Sequence, residues 1–415
     1  MYYMSFLFLF LVLCSSQQKK MVYASFNSDS QLLNFGFHEN GKFDMQINSS
    51  VPGQIMGFFA SSSEVKQIRS PIANVCNTNR FISKVNFTHG YANMSSFFYH
   101  WTGNVYENSV YSLYLINCDS KRSIFTVDSF FSNPESFIDS RDDILLHLYL
   151  IFALTYFVFS VIWLFNAAVF SRFRVPLHTI FLFLPIIRCI VLLTTSSVWG
   201  DWRNTGNDNI SKIVAMLLLN LLYYALLFIG VSFASTGFFI YRKFSWKEAT
   251  EVIFSSAFLS IGFQIAQYVT GVQQAFLSIG VFIFSLIWYL KQCIVSTIIA
   301  SKLIKQMKEP QVVAKIKLAL KFATNSFFLI TITIIFTLYS AVANSQRSIC
   351  SSILEIGLIL NSILQMKTFL LKKEYLVVDK QRGYKVTIAK PKVICTPNGS
   401  ELVLFVQEVY IDDYY

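Results

Sequence analysis

Long apolar runs separated by short polar gaps dominate residues 144–371 of the chain. A helix needs roughly 20 apolar residues to cross a bilayer, because each residue rises about 1.5 Å and the hydrocarbon core is about 30 Å thick. Seven windows meet this requirement: 144–170, 176–199, 213–241, 252–270, 272–300, 318–343 and 348–371. Soluble core helices are the alternative, but such helices rarely run so long without charge. Since backbone polar groups in lipid must be paired internally, the pattern predicts seven membrane helices.

Basic residues between these windows predict the orientation, because cytosolic loops carry an excess of Lys and Arg. The loops after the first, third and fifth helices hold eleven: Arg172, Arg174, Arg242, Lys243, Lys247, Lys302, Lys305, Lys308, Lys315, Lys317 and Lys321. The alternate loops hold three: Arg203, Lys212 and Arg347. We therefore expect a luminal or extracellular N-terminus and a cytosolic C-terminus. The loops account for much of the net charge of +11, which argues against a nucleic-acid partner.

The first sixteen residues have the features of a secretory signal peptide. Residues 6–13 form an apolar core too short to span, and Cys14 and Ser16 are small enough for cleavage after Ser16. The usual positive start is missing, so a retained anchor is the alternative. Such an anchor would place both ends of the chain in the cytosol.

Residues 17–143 are more polar and long enough to bury a core of their own. In residues 35–47, apolar side chains alternate on either side of Asn40-Gly41, a pair that tolerates the positive φ of a tight hairpin turn. Residues 110–117 alternate Tyr and Leu in the same way. The pattern predicts a small exported β-sandwich.

Two cysteines, Cys76 and Cys118, lie in this exported part. In an oxidising compartment they most simply pair, although two free thiols are the alternative. The bridge would close a loop of about 40 residues and contribute on the order of 3–4 kcal/mol.

Glycosylation sequons agree with the predicted sides of the membrane. Exported sequons begin at Asn48, Asn86, Asn93 and, after the second helix, Asn209. A further sequon at Asn398 lies in the cytosolic tail and is expected to stay unmodified.

Two charged residues lie well inside the predicted helices, away from the cytosolic parts of the fifth and seventh helices that hold Lys291 and Lys367. Arg188 is near the middle of the second helix, and Glu355 is about two turns into the seventh from its outer end. Charges at membrane depth are costly and usually face a partner or a cavity. The similar depths allow a pair, which either lines a polar cavity for a ligand, an ion or a switch, or has a purely structural role. An outward-snorkelling Arg is a third interpretation, and structural roles are the commoner ones.

Amides in the same helices extend this candidate site. Asn220 and Asn361 are the main cavity candidates, and further amides are Asn166, Gln264, Gln267, Asn325 and Gln365. Hydrogen bonding between helices is the alternative role for most of them.

Motifs for catalysis are missing from the sequence: it has no His-Glu-x-x-His, Gly-x-Ser-x-Gly, glycine-rich phosphate loop or Cys-x-x-Cys. The helix histidines, His147 and His178, fall at opposite membrane faces, too far apart for a zinc site. We therefore expect no enzyme activity, no cofactor and no metal.

Residues 372–415 form the cytosolic tail. Strand-like runs at 376–378, 384–388 and 402–406 predict a small β-hairpin. Residues 375–378 match the degenerate Tyr-x-x-apolar pattern that clathrin adaptors bind, although Tyr375 lies close to the predicted membrane surface.

Three stretches carry a family resemblance: Phe35-Gly36-Phe37 before a turn at Gly41, the aromatic strand 111–118 ending in Asn117-Cys118, and Trp163, Leu177-His178 and Ser235-Thr236-Gly237. In these stretches and in its order of parts, the chain resembles the Golgi-dynamics-domain (GOST) seven-transmembrane family. That family includes Wntless-like cargo carriers, lung-seven-transmembrane receptors and intimal-thickness-receptor-like receptors. The resemblance implies a GOLD-like β-sandwich joined to a GPCR-like seven-helix bundle, and no catalytic residues carry over.

Three functions follow, in decreasing order of preference. The first is a cargo or sorting receptor of the Golgi and endosomes, with a luminal protein or lipid cargo. The second is a plasma-membrane GPCR-like receptor that engages a G protein or adaptor through residues 301–317. The third is a cation channel lined by Arg188 and Glu355.

Overall fold

The computed structural model describes residues 17–24, 29–49, 55–61, 63–64, 91–94, 98–117, 123–170, 176–238, 246–268, 272–306, 310–342, 347–369, 374–378, 383–387, 392–395, 401–404 and 407–409. The chain divides into two compact units. The N-terminal unit comprises Val12–Leu146 and Ser197–Ile210, and the helical unit includes His147–Ser196 and Ser211–Tyr415.

Strands of the N-terminal unit form two antiparallel four-stranded sheets. The strands are β1 (Gln17–Ala24), β2 (Asp29–Phe37), β3 (Gly41–Ser49), β4 (Ile55–Ser61), β5 (Tyr91–Met94), β6 (Phe98–Val105), β7 (Ser109–Asn117) and β8 (Ser123–Ser132). One sheet has the order β1-β8-β3-β6 and the other β2-β7-β4-β5. The predicted strand at 110–117 is confirmed as β7.

The two sheets share one aromatic core. Its buried members come from both sheets: Phe35, Phe37, Phe43, Met45, Ile47, Phe59, Val105, Tyr111, Leu113, Leu115, Val127 and Phe131. Phe59 of β4 stacks on Phe131 of the opposite sheet, with ring centroids 6.2 Å apart. Phe35 lies 5.0 Å from the same ring. Apolar side chains at alternate strand positions therefore close a β-sandwich.

The turn at Asn40-Gly41 forms, but the hairpin predicted around it is wrong. Asn40 has a φ of 65°, and Gly41 N donates to His38 O at 3.1 Å. β2 pairs with β7, however, whereas β3 pairs with β6 and β8. The chain changes sheets at this turn because Phe37 and Phe43 enter the core from opposite sheets, where both contact Phe59.

Helices occupy all seven windows that the sequence predicted. They are α1 (Ile144–Val169), α2 (Pro176–Thr205), α3 (Ile210–Thr236), α4 (Trp246–Tyr268), α5 (Val272–Gln306), α6 (Pro310–Val342) and α7 (Arg347–Phe369). The largest difference is at α6, which begins at Pro310 rather than at residue 318. Proline suits the first turn of a helix, where its missing N–H costs nothing. Pro185 lies inside α2 without ending it.

Four of these helices are long and apolar enough, over their described residues, to cross a membrane. They are Ile144–Val169, Pro176–Thr205, Ile210–Thr236 and the Phe282–Lys302 part of α5. The described parts of α4 and α7 fall below that apolarity, and α6 shows the shorter apolar stretch Ala319–Thr333, so a seven-span bundle stays a prediction.

The helical unit exposes large apolar side chains and buries polar ones. The exposed set on α1 includes Leu150, Ile151, Leu154, Phe157, Val158, Val161, Leu164 and Phe165. Even the more polar α7 exposes Ile349, Ile356, Leu360 and Ile363 while it buries Glu355, Asn361, Ser362 and Gln365. Soluble helices have the opposite arrangement, and contiguous exposed apolar surface is typical of contact with lipid or protein. Together with the four spanning-length helices, this pattern gives the chain the character of a membrane protein.

A single apolar cluster draws side chains from all seven helices. Representative members are Trp163, Phe181, Phe228, Phe263, Phe282, Phe322 and Phe369, in chain order from α1 to α7. Among them, the rings of Phe322 and Phe369 lie 4.7 Å apart, and those of Phe181 and Phe369 lie 4.9 Å apart. Shared burial of this kind holds the helices together as one packed body.

Short strands follow α7. They are β9 (Glu374–Val378), β10 (Gly383–Thr387), β11 (Lys392–Cys395), β12 (Glu401–Leu404) and β13 (Gln407–Val409). β9 and β10 pair antiparallel, which confirms a hairpin in the tail, and Tyr375 pairs with Val386 inside it.

Several predictions lie outside the described residues. These are the signal peptide at 1–16, the Cys76–Cys118 disulfide, and the sequons at Asn86 and Asn398. Asn93 falls in β5. Asn48 on β3 and Asn209 before α3 are exposed, as a glycan requires.

Candidate functional site

A buried ion pair joins α2 to α7. Arg188 is 3% exposed and Glu355 is 2% exposed. The Nη2 of Arg188 donates to Oε1 of Glu355, and its Nε donates to Oε2 at 3.2 Å. Two parallel N–H···O bonds make this a bidentate pair, the strongest arrangement available to these groups. The pair that the sequence allowed therefore forms.

A third helix contributes to the same group. The remaining terminal nitrogen, Nη1 of Arg188, donates to Oδ1 of Asn220 on α3 at 2.8 Å. Burial of a charge is tolerable only when the charge is paired and its other hydrogen-bonding groups are satisfied. Asn220 meets part of that need, so one guanidinium connects α2, α3 and α7.

Tyrosine side chains surround the guanidinium. The Cζ of Arg188 lies 4.8 Å from the ring centroid of Tyr223 and 5.7 Å from that of Tyr224, within cation–π range. Tyr156 of α1 is fully buried and lies within electrostatic range of both Arg188 and Glu355. The positive charge is thus enclosed by a carboxylate, an amide and aromatic faces.

Sequence reasoning missed these three tyrosines. A signal for two of them was present, because Tyr223 and Tyr224 follow Asn220 by three and four residues and so share its helix face. Tyr156 lies on another helix, and nothing local in the sequence links it to Arg188.

The fourth candidate, Asn361, does not join this group. Its side chain is 1% exposed, and neither of its amide atoms has a hydrogen-bond partner among the described residues. The sequence left a polar cavity and a structural role open for these residues. In the structure, Arg188, Glu355 and Asn220 form a charge cluster, whereas the amide of Asn361 on α7 has no hydrogen-bond partner among the described residues.

The charge cluster has limited chemical options. Its two opposite charges compensate each other, so it can fasten α2 to α7 or release them if one partner is neutralised. Within the ranges that the structure describes, no three His, Cys, Asp or Glu side chains gather closely enough to hold a metal ion.

A second polar cluster lies in the N-terminal unit, at the exit from β8. Asn133 Oδ1 accepts from His38 N at 2.7 Å, and its Nδ2 donates to Ile138 O at 2.8 Å and Gly36 O at 3.3 Å. Ser140 N also donates to Gly36 O, at 2.9 Å. These bonds fix the segment 133–143, which we name the connector, against β2.

The connector also binds the last turns of α2, which belong to the N-terminal unit. Phe137 N donates to Arg203 O at 3.0 Å, and the Arg203 side chain lies 3.6 Å from Asp143 Oδ1. Nearby, Trp202 Nε1 donates to Asp208 Oδ1 at 2.7 Å, which orders the loop before α3. The sandwich, the connector and the α2–α3 loop therefore form one hydrogen-bonded assembly.

Comparisons with known proteins add little. No family model matches the chain, and no curated protein matches it. Among solved structures, the chain is similar to the transmembrane domain and linker region of the Salpingoeca rosetta rhodopsin phosphodiesterase, with 14% identity and a TM-score of 0.37 over 53% of this chain and 70% of that chain. A likeness this distant supports no conclusion about the fold or the function of the chain.

Proposed function

We propose that this chain is a multi-pass cargo or sorting receptor of the secretory pathway, acting between the Golgi and endosomes. Its sandwich is a GOLD-like luminal module that binds a protein or lipid cargo. All seven helices cross the membrane as a GPCR-like bundle, and the tail after α7 faces the cytosol.

The connector is the observation that carries this proposal. Within the N-terminal unit, residues 133–143 are bonded both to Gly36 of β2 and to Arg203 in the last turn of α2, so the sandwich is ordered together with the end of a spanning-length helix. This arrangement also favours a location of the sandwich and the α2–α3 loop on the same side of the membrane. The distribution of basic residues predicts the same sidedness.

The three helices outside the spanning-length set are assigned to the membrane by what they expose. α4 buries Ser255, Ser256, Ser260 and Gln264 and exposes Phe254, Phe258 and Ile261. α6 buries Ser326 and exposes Phe328 and Ile335. Buried polar groups lower the average apolarity of such helices without touching lipid, so the outer surface stays compatible with a bilayer.

A signalling receptor is the second candidate, and the charge cluster favours it. Arg188 connects three helices through Glu355 and Asn220, so neutralising one partner would loosen α2, α3 and α7 together. Coupled movement of helices is how a receptor transmits binding across a membrane. A cation channel has weaker support, because the charges that would line its path are already paired with each other.

Quantitative proteomics of cells that lack the protein tests the cargo role. We expect a defined subset of secreted and surface proteins to accumulate in early compartments, and the full-length chain to restore their export. A chimera with residues 17–143 replaced by an unrelated luminal domain should reach the same membranes without restoring export. An unchanged secretome, or full rescue by the chimera, would contradict the proposal.

Recruitment of engineered G proteins to membranes, measured in the same cells, distinguishes the cargo receptor from the signalling receptor. The cargo receptor should recruit none at any compartment. Recruitment that depends on residues 301–317 would move the assignment to the signalling receptor.

A further inference from the structure

Helices α6 and α7 approach each other closely along an antiparallel seam. At one end the rings of Phe322 and Phe369 lie 4.7 Å apart. At the other, a Cβ added to Gly357 would lie only 2.5 Å from Oγ1 of Thr333. These two contacts fix the register between the helices, because both have the regular rise of an α-helix.

The register brings three buried polar side chains onto the seam. Asn361 is one turn beyond Gly357 and therefore lies beside the α6 turn that contains Ile330. Gln365, another turn along α7, lies beside Ser326. Asn361, Gln365 and Ser326 are 1%, 2% and 0% exposed.

Their polar atoms lack partners in the part of the chain that the structure describes. The unpaired atoms are both amide atoms of Asn361, Nε2 of Gln365 and Oγ of Ser326. The adjacent Ser362 behaves differently, since its hydroxyl donates to Leu358 O at 3.0 Å. Unpaired buried polar groups are strongly disfavoured, so several on one seam indicate a bound polar molecule.

We propose that the α6–α7 seam binds a neutral molecule that carries a hydroxyl group, either internal water or the hydroxyl of a lipid. The seam offers amide N–H donors, an amide oxygen and a hydroxyl, and these three side chains carry no charge. A partner must therefore both donate and accept hydrogen bonds while remaining neutral. The charges at Arg188 and Glu355 do not change this preference, because they compensate each other.

Aromatic rings close the seam one turn beyond Gln365. The ring centroid of Phe369 lies 4.7 Å from that of Phe322 on α6 and 4.9 Å from that of Phe181 on α2. The centroids of Phe322 and Phe181 lie 5.8 Å apart. These three rings in mutual contact make the seam apolar between Gln365 and the C-terminal end of α7.

X-ray hydroxyl-radical footprinting of the full-length protein in detergent tests the site. Radiolysis of a bound water generates radicals that oxidise side chains beside it, even where bulk solvent cannot reach. Ile330 is 5% exposed and adjoins the seam, whereas Phe228 is 1% exposed and lies on α3. We expect oxidation of Ile330 and none of Phe228.

Two variants test whether the oxidation of Ile330 arises at the seam, and lipid extraction identifies the bound molecule. Asn361→Leu should abolish the oxidation of Ile330, and the control Ser362→Ala should keep it. If Asn361→Leu fails to fold, the smaller change Ser326→Ala serves instead. A stoichiometric hydroxyl-bearing lipid in an organic extract of the wild type, lost from Asn361→Leu, would identify lipid rather than water. Ile330 left unoxidised with no such lipid would overturn the proposal.

Discussion

Arg188 places a permanent charge where the sequence predicts the middle of a membrane helix, and its surroundings explain how the fold tolerates it. Glu355 neutralises the charge, Asn220 accepts a further hydrogen bond, and Tyr223 offers a ring face. All of these partners lie on helices other than α2. The cluster is therefore a device that specifies how α2, α3 and α7 are aligned.

Breaking one side of this pair should be far more harmful than removing both sides. We expect Arg188→Ala to destabilise the helical unit by about 3–5 kcal/mol, because Glu355 is left as a buried, uncompensated charge. The double variant Arg188→Met with Glu355→Leu should recover most of that loss. Thermal unfolding of the purified protein in detergent measures both. Equal losses in the single and double variants would contradict the ion-pair account.

Tyr111 gives the N-terminal unit a dependence on alkaline pH. Burial raises the pKa of its phenol from 10.0 to about 12, with smaller contributions from Glu64 and Glu107. Because the folded pKa is the higher one, the stabilisation is complete below about pH 10 and is lost as the pH rises toward 12. The loss should reach on the order of 2 kcal/mol.

Denaturant unfolding followed by tryptophan fluorescence measures the effect, since Trp101 packs against this core. Tyr111→Phe is the matched control, since it keeps the ring and removes the ionisable group. The stability of the wild type relative to Tyr111→Phe should fall steadily above pH 10. A difference that is constant with pH would show that Tyr111 does not titrate in the folded sandwich.

At the scale of single residues, the sequence predicted the site of the buried charges well and the surroundings of the buried amides less well. Arg188, Glu355 and Asn220 were identified because polar residues stand out in apolar runs. Asn361 stood out for the same reason, but whether its amide meets a polar group depends on how α7 is rotated against α6. That rotation is set by tertiary contacts such as the one between Gly357 and Thr333, which no local pattern encodes.

At the scale of elements, the approach of α6 to α7 depends on a missing side chain. A Cβ at Gly357 would meet Oγ1 of Thr333 at 2.5 Å, and Thr333 is stiff at χ1 and bonded to Leu329 O. We expect Gly357→Ala to destabilise the protein by roughly 1–3 kcal/mol, because the helices must separate.

Gly280 of α5 supplies the matched control, since none of the described residues has an atom within 4 Å of a Cβ added there. Gly280→Ala should stabilise the protein by about 0.5–1 kcal/mol, because alanine loses less backbone entropy in a helix. The two melting temperatures should therefore move in opposite directions. A shared direction would mean that the α6–α7 seam is not tightly packed.

Elements were predictable where one simple pattern runs for a long distance. The seven helices follow from the length of the apolar runs, and β7 follows from the two-residue alternation of Tyr and Leu. The placement of β2 and β3 in different sheets was not predictable, because an Asn-Gly turn specifies a change of direction and not the sheet that receives the next strand. The aromatic side chains on both sides of that turn decide the outcome only once both sheets exist.

At the scale of the whole molecule, the exposed apolar surface distinguishes a membrane protein from a soluble one. Leu360 of α7 is exposed, and in water a lysine there would be harmless. In a bilayer a lysine near the centre of a helix costs about 2.5–3.5 kcal/mol of insertion free energy. We expect Leu360→Lys to reduce insertion of α7 strongly, and Leu360→Met to have no effect.

Extraction of cell membranes with alkaline carbonate, combined with protease protection of the tail, measures that insertion. Protection of the tail should change in Leu360→Lys and remain as in wild type in Leu360→Met. Identical behaviour of the two variants would remove α7 from the set of spanning helices.

The most direct test of a luminal sandwich on a multi-pass receptor is glycan mapping of a tagged full-length copy in cells, combined with its localisation. We expect Asn48 to carry a glycan that Asn48→Gln removes, Asn398 to carry none, and a perinuclear protein whose glycans remain sensitive to endoglycosidase H. Resistant glycans on a protein at the cell surface would favour the signalling receptor. A glycan on Asn398, or none on Asn48, Asn93 or Asn209, would contradict the topology on which the cargo-receptor proposal depends.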